Sequence, residues 1–339
     1  MKRAGHLYHH IVSTEALLAA WHRARQNKRS HRSVHAFGRN LGTHIATLRA
    51  ELVAGTYRPA PLHRFWVRDG RKPRLIEAPS FRDLVVQHAI YAVLQPLLER
   101  RYIATSFACR QGLGTHKAAD WLQAQMRRAP RTAWTLHVDV RRYFYSIDRD
   151  ILRGMLERIV KCPRTLELTM LFAHRPEAAG VPIGNLLSQT FSNLYLNSLD
   201  QYAKRTLKIA AYARYVDDAV MIAPDRATAA QWLDGIRRHL ALLNLEISHH
   251  SLQPIRRGVN WCGYRTWARA RFVRPHLVSQ IRRDARAHRL PSLVSRLGHA
   301  CRTASLRPIL RHLKEHHHAV FDRLPQGFRR LHHVPASAA

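Results

Sequence analysis

An α+β fold is predicted by three features of this 339-residue sequence. Apolar residues recur at helical spacing towards both ends of the chain. The stretch Trp134–Val140 alternates apolar and polar residues, as a half-buried strand does. Hydrophobic residues make up 46% of the chain, which fills a substantial core and excludes disorder throughout.

Taken in order, residues 1–55 read as helical. Leu17, Leu18 and Trp21 share one face, and Phe37, Leu41, Ile45, Leu48 and Leu52 share another, with Gly55 as the stop. Residues 62–77 alternate as a hairpin joined at Asp69-Gly70. Residues 81–101 return to helical spacing through Leu84, Val85, His88, Ala89, Tyr91, Ala92 and Leu94. In the strand at 134–140, Trp134, Leu136, Val138 and Val140 form the apolar face, and Thr135, His137 and Asp139 the polar one. Helices are expected near 149–160, from Gly184 to Asp200 and over 226–243. Ala211–Ile222 reads as two short strands around Val216-Asp217, and 259–274 as further short strands. From about 275 the chain is helical and basic. Residues 271–339 hold 14 Lys+Arg against 3 Asp+Glu, and the last residues, VPASAA, are expected to fray.

The formal net charge is +34, from 56 Lys+Arg and 22 Asp+Glu. Self-repulsion on that scale opposes compactness unless a polyanion is the partner, and nucleic acid is the first candidate. An anionic membrane surface is the second. Of the basic residues 48 are Arg, whose donor fork suits phosphate. A GC-rich genome would also enrich Arg but would not deplete acids. No run approaches the ~18 apolar residues of a membrane span. The N-terminal apolar run is broken by Trp21, His22 and Arg23, unlike a signal peptide. The four cysteines, Cys109, Cys162, Cys262 and Cys301, form neither a C-x2-C pair nor a disulfide framework, and read as reduced thiols of a cytoplasmic protein. G-x-S-x-G, H-E-x-x-H and G-x-x-x-x-G-K-[ST] are absent, which sets aside the common hydrolase, zinc-protease and P-loop readings.

The sharpest local feature is Tyr215-Val216-Asp217-Asp218. Adjacent carboxylates at a turn repel, and a divalent cation relieves the repulsion. Mg²⁺ takes carboxylate oxygens together with substrate phosphates, and a third carboxylate, Asp139, would complete a two-metal clamp for phosphoryl transfer.

Four stretches stand in a fixed order: LHVDVRRYFYSID (136–148), GVPIGNLLSQTFSNLYLNSLD (180–200), YARYVDDAVMI (212–222) and WCGYRTW (261–267). In this order the chain resembles a reverse transcriptase, from GTYRP (55–59) to its basic C-terminal part. It looks most like those of diversity-generating retroelements, through RKPRLIEAP and FRDLVVQHAI (71–90), SFACRQGLGTHKA (106–118) and IGNLLSQ (183–189). Most reverse transcriptases carry Q-G-x-x-x-S-P at that last place.

The resemblance implies a right-hand polymerase. An N-terminal helical extension would cover 1–60 and fingers 61–133. The palm would cover 134–268, with a fingers insertion near 160–183, and a basic helical thumb and tail 269–339. It makes Asp139, Asp217 and Asp218 the catalytic, metal-binding carboxylates, with the Val140 carbonyl as a further ligand. Two Mg²⁺ ions, with Mn²⁺ as the alternative, would be the cofactors. Phe144, five residues after Asp139, falls where the family places a steric gate against the ribose 2′-hydroxyl; the alternative is a core role. Lys72 and Arg74 match positions that grip the triphosphate. Gly184 would let backbone approach the template–nucleotide pair, with Ile183 and Gln189 flanking it, and Tyr215 would meet the primer end. Ile183 replaces a hydrogen-bonding Gln, and adenine-directed misincorporation is the implied consequence. The Lys usually found after the catalytic hairpin is missing from LEISHHSLQP (245–254), where His249 or His250 could serve as the general acid; simple exposure is the equal alternative.

Partners implied are template RNA, primer and cDNA, deoxynucleoside triphosphates and a basic oligomeric accessory variability protein. A basic partner would need RNA between it and a +34 chain, or a local acidic patch to dock on. The length is expected to leave no room for an RNase H or endonuclease domain. Two alternatives stay open: a group II intron-like or phage-defence reverse transcriptase, and a non-catalytic RNA-binding protein.

Overall fold

The computed structural model describes residues 2–69, 72–177 and 179–331. The Asp69-Gly70 connection predicted for the first hairpin therefore falls partly outside the described residues, as does the VPASAA tail. The elements run α1 (Tyr8–Val12), α2 (Thr14–Ala24), α3 (Arg32–Arg39), α4 (Leu41–Ala54), β1 (His63–Asp69), β2 (Lys72–Ala78), α5 (Phe81–Glu99) and α6 (Thr115–Arg128). After them come β3 (Trp134–Val140), α7 (Tyr143–Ser146), α8 (Arg149–Glu157), α9 (Pro163–Leu171), α10 (Leu186–Gln201), β4 (Ala211–Tyr215), β5 (Asp218–Ala223), α11 (Arg226–Ala241) and β6 (Ile247–Pro254). Three short strands follow, β7 (Val259–Trp261), β8 (Tyr264–Thr266) and β9 (Arg271–Val273). The last helices are α12 (Pro275–Arg286), α13 (Leu290–Ala300), α14 (Leu306–His316), α15 (His318–Phe321) and α16 (Gln326–Leu331).

The chain divides into two compact units, each assembled from separated segments. Unit 1 comprises residues 1–109, 139–208 and 234–249, and unit 2 residues 110–138, 209–233 and 250–339. In unit 1, α2 and α5 pack together. Leu17, Ala20 and Trp21 supply the buried stripe of α2, and Val85, Val86, Ala89 and Ile90 that of α5. Helix ends follow local chemistry. Ser13 and Ser80 cap α2 and α5 by accepting hydrogen bonds from the N–H groups of Ala16 and Asp83, and Gly55 ends α4 at φ 74°. The β1–β2 pair is an antiparallel two-stranded sheet in the register Phe65↔Ile76 and Val67↔Arg74.

In unit 2, β4 and β5 form an antiparallel hairpin. They belong to a four-stranded sheet in the order β4-β5-β3-β6. A separate three-stranded sheet runs β7-β8-β9. Helices α12–α16 enclose a second core built on Leu293, Leu297, Leu310 and Leu313, all fully buried.

The predicted start of α10 moves, while α5, α8 and α11 end two or three residues earlier than expected. Periodicity placed a helix from Gly184, but α10 begins at Leu186, because Gly184 sits at φ 104° and Asn185 caps the helix by accepting from the Leu187 N–H.

Candidate active site

In unit 2 the β4–β5 hairpin turns on just two residues, Val216 and Asp217, with Tyr215 paired to Asp218. Such turns usually carry Gly or Asn, since backbone there must enter the left-handed region. Here Val216 takes φ 56°, a costly conformation for a β-branched side chain. Neighbouring groups hold it. The Arg214 guanidinium, wholly buried, donates from Nη1 to the Val216 carbonyl at 2.7 Å. The indole Nε1–H of Trp261, from the WCGYRTW stretch, donates to the Asp218 carbonyl at 3.3 Å. The Asp218 carboxylate pairs with His137 Nε2 from β3. Asp217, Asp218 and Tyr215 are all half-buried, so the turn reaches solvent while its root is fixed.

Unit 1 holds Asp139, at the C-terminal end of β3. Its carboxylate accepts a hydrogen bond from the Ser248 hydroxyl of β6, which also lies 3.1 Å from the Asp139 carbonyl. Val140, two residues short of the left-handed Arg142 (φ 46°), is buried. Phe144 is half-buried, edge-on to Tyr143 at 5.7 Å between ring centres. The core position at this turn belongs to Tyr143 instead, which donates to the Ser192 carbonyl at 2.5 Å.

The loop before α10 locks onto the 144–147 turn. Gly180 and Val181 donate to the carbonyls of Ile147 and Phe144 at 3.0 and 2.8 Å. A Cβ on Gly180 would stand 2.7 Å from Tyr145 Cα, so only glycine fits. The same loop grips β2: the Glu77 N–H donates to the Ile183 carbonyl at 2.6 Å, and Ile76 Cγ2 lies 2.7 Å from where a Gly184 Cβ would be. Ile183 is half-buried, and Gln189 is exposed on the first turn of α10. Arg74 is exposed on β2; the side chain of Lys72 lies outside the described residues. His249 and His250 are both exposed on β6. Strand alternation gives His250 the face of Ser248 and gives His249 the other.

Sequence reasoning missed His137, Ser248 and Arg214. The first was visible in retrospect, since His137 shares the polar face of β3 with Asp139. The other two carried no local pattern. Among the described residues, no three His, Cys, Asp or Glu side chains gather into a metal-holding group. The donor chemistry of Asp217 and Asp218 nonetheless suits a hard cation: both present carboxylate oxygens, half-buried and adjacent, on a turn that other residues rigidify.

Residues 68–266, more than half of the chain, match the model of the family described as reverse transcriptase (RNA-dependent DNA polymerase). The chain belongs to the reverse transcriptase family. Among curated proteins it is similar to protein YkfC of Escherichia coli (strain K12), at 28% identity over 174 residues, covering 48% of this chain and 46% of that one. It is also similar to the group II intron-encoded protein LtrA of Lactococcus lactis, at 25% identity over 169 residues, 47% of this chain and 28% of LtrA. The chain thus spans less than half the length of these relatives. Among solved structures it resembles telomerase from Candida albicans, in complex with a fragment of telomeric RNA. The TM-score is 0.50 at 12% identity, over 78% of this chain and 55% of that one. With its helices and antiparallel sheets, this reverse transcriptase family member has the right-hand polymerase fold. No helix among the described residues is long and apolar enough to cross a membrane.

Proposed function

We propose that this chain is an RNA-directed DNA polymerase in which Asp139, Asp217 and Asp218 together hold two Mg²⁺ ions. The observation that carries the reading is the two-residue turn of β4–β5. It presents successive carboxylates on a strained backbone that Arg214, Trp261 and His137 hold in place. Bound metal would activate the primer 3′-hydroxyl and neutralise the triphosphate and the departing pyrophosphate. The chain's own residues do the rest. Arg74, with Lys72, grips the triphosphate. Phe144 sits half-exposed beside the Asp139 strand, as a ring that rejects a 2′-hydroxyl must. Tyr215 borders the primer end. His250, on the Ser248 face of β6, is the better placed of the two histidines to protonate pyrophosphate. The 14 Lys+Arg of residues 271–339 follow the phosphates of an RNA–DNA hybrid.

The deciding experiment is primer extension on an RNA template with deoxynucleotides and Mg²⁺. The native chain extends the primer, and Asp217→Asn lowers extension at least about a hundredfold while its circular dichroism is unchanged. A native chain inert under these conditions refutes the reading.

The finer assignment, to a mutagenic diversity-generating retroelement, rests on IGNLLSQ and its Ile183. It brings in a basic oligomeric accessory protein, with the template RNA lying between two cationic partners. The similarity to LtrA favours a second reading, a group II intron-like enzyme. Sequencing the products separates them. In the first case errors concentrate opposite template adenine, and Ile183→Gln reduces them; identical error spectra for the two proteins remove the role given to Ile183.

A further inference from the structure

The way the chain leaves β3 sets a second polar cluster beside Asp139. Asp139 and Ser248 form one rung across β3 and β6, their side chains hydrogen-bonded. Two residues on, the Arg141 N–H donates to the Glu246 carbonyl at 2.8 Å, and Arg141 Nη1 meets Glu246 Oε2 at 3.2 Å. Residues two apart on a strand share a face and stand about 7 Å apart. The Arg141–Glu246 rung is therefore the next one outward on the face of Asp139. Strand alternation would point Arg142 the other way. Its left-handed backbone, at φ 46°, brings it instead to the same cavity as Arg141.

That cavity measures about 500 Å³ and lies wholly within unit 1. Arg141, Arg142 and Ser146 reach it from the turn after β3, and Asn244, Leu245 and Glu246 from the turn before β6. Both turns are held. The Tyr145 N–H donates to the Arg142 carbonyl at 2.8 Å, the Leu245 N–H to the Leu240 carbonyl at 3.0 Å, and Asn244 Nδ2 to the Asp148 carboxylate at 2.9 Å. Two guanidiniums on fixed backbone suit phosphate oxygens. No aromatic ring lines the cavity, so nothing there stacks a base. The two arginines differ. Arg141 is shared with Glu246, and Arg142 forms no ion pair among the described residues. One unshared and one shared guanidinium hold a small anion loosely, which suits passage rather than storage.

Nucleotidyl transfer breaks the bond between the α- and β-phosphates and frees pyrophosphate, under the reading above beside the Asp139 carboxylate. We infer that this cavity takes the departing pyrophosphate, with Arg142 binding it and Glu246 competing with it for Arg141. The inference rests on the polymerase reading, yet its test needs no turnover. Isothermal titration calorimetry of the full chain with inorganic pyrophosphate, metal ions chelated, gives the affinity. Arg74→Ala serves as the background throughout, to remove the other phosphate grip. In that background Arg142→Ala should weaken binding about tenfold, with Arg142→Lys in between. Glu246→Gln should tighten it about threefold. An RNA duplex titrated in parallel should bind all these chains alike. Equal pyrophosphate affinity with and without Arg142→Ala overturns the inference, as does a Glu246→Gln chain that binds more weakly. So does a loss for duplex as large as that for pyrophosphate, which makes the cavity a nucleic-acid contact. A chain that binds pyrophosphate through Arg142 but never extends a primer refutes the polymerase reading alone. A chain that extends primers, with native and Arg142→Ala proteins equally inhibited by pyrophosphate, refutes the exit site alone.

Discussion

The two hairpins of this protein are built on opposite plans. In β4–β5 the flanking residues Tyr212, Ala213, Arg214, Ala219, Val220 and Met221 are buried, and the acids stand at the tip alone. In β1–β2 the residues Phe65, Trp66 and Val67 all reach solvent, and among the described residues full burial is found at the base, at Glu77. Under the proposed reading, a turn that is to hold cations must be fixed to within fractions of an ångström, which embedding achieves. A hairpin clamped only at its root keeps exposed surface instead. The same supersecondary unit is thus built rigid or open by where its buried charge lies.

The sharpest way to break this contrast is at the embedded hairpin. Arg214→Met removes the 2.7 Å donor to the Val216 carbonyl and puts an uncharged side chain in the fully buried Arg214 site. The expected loss is about 2–3 kcal/mol in urea unfolding, with a higher Mg²⁺ requirement for extension. Arg214→Lys should recover part of both. Unchanged Mg²⁺ dependence in the Met variant would separate the clamp from the turn it is said to hold.

A smaller effect is expected at the root of the exposed hairpin. Gly184→Ala places a methyl 2.7 Å from Ile76 Cγ2 at φ 104°. The cost should be about 1–3 kcal/mol, again read by urea unfolding, with weaker triphosphate binding as β2 shifts. Gly154→Ala, in α8, meets nothing within 4 Å and is the matched control.

The smallest effect concerns pH. The Glu177 carboxyl titrates below its ordinary value of 4.5, held there chiefly by its own backbone N–H and then by Arg175 and Arg64. A depressed carboxylate stabilises the fold above its unfolded value and loses that contribution as pH falls through the folded one. Stability of the native chain should therefore decline below pH 4.5 slightly more steeply than that of Glu177→Gln. Parallel thermal-denaturation curves across that range would show the exposed ion pair to be inert.

Element types were legible in the sequence because periodicity reports which face is buried. The alternation of Trp134–Val140 and the paired acids at 217–218 mark strand and turn in the sequence itself. The supports of that turn were not legible. Arg214 reads as one more cation among 48 arginines, and only its complete burial marks it out. Ser248 lies 109 residues from Asp139, a distance over which no local pattern speaks. The start of α10 was misplaced for a related reason. The conformation of Gly184 answers to Ile76 in a distant strand, and periodicity alone extends the helix through it.

The interleaving of the two units bears on how the chain comes into being. Unit 1 is complete only once residue 249 has been made, and unit 2 draws on segments from 110 to beyond 300. Helices α1–α5 pack on one another as soon as residue 99 is made, and residues 139–208 and 234–249 join them later, so no single cut separates the two units. Failure of halves split between residues 109 and 139 to refold apart is the natural corollary.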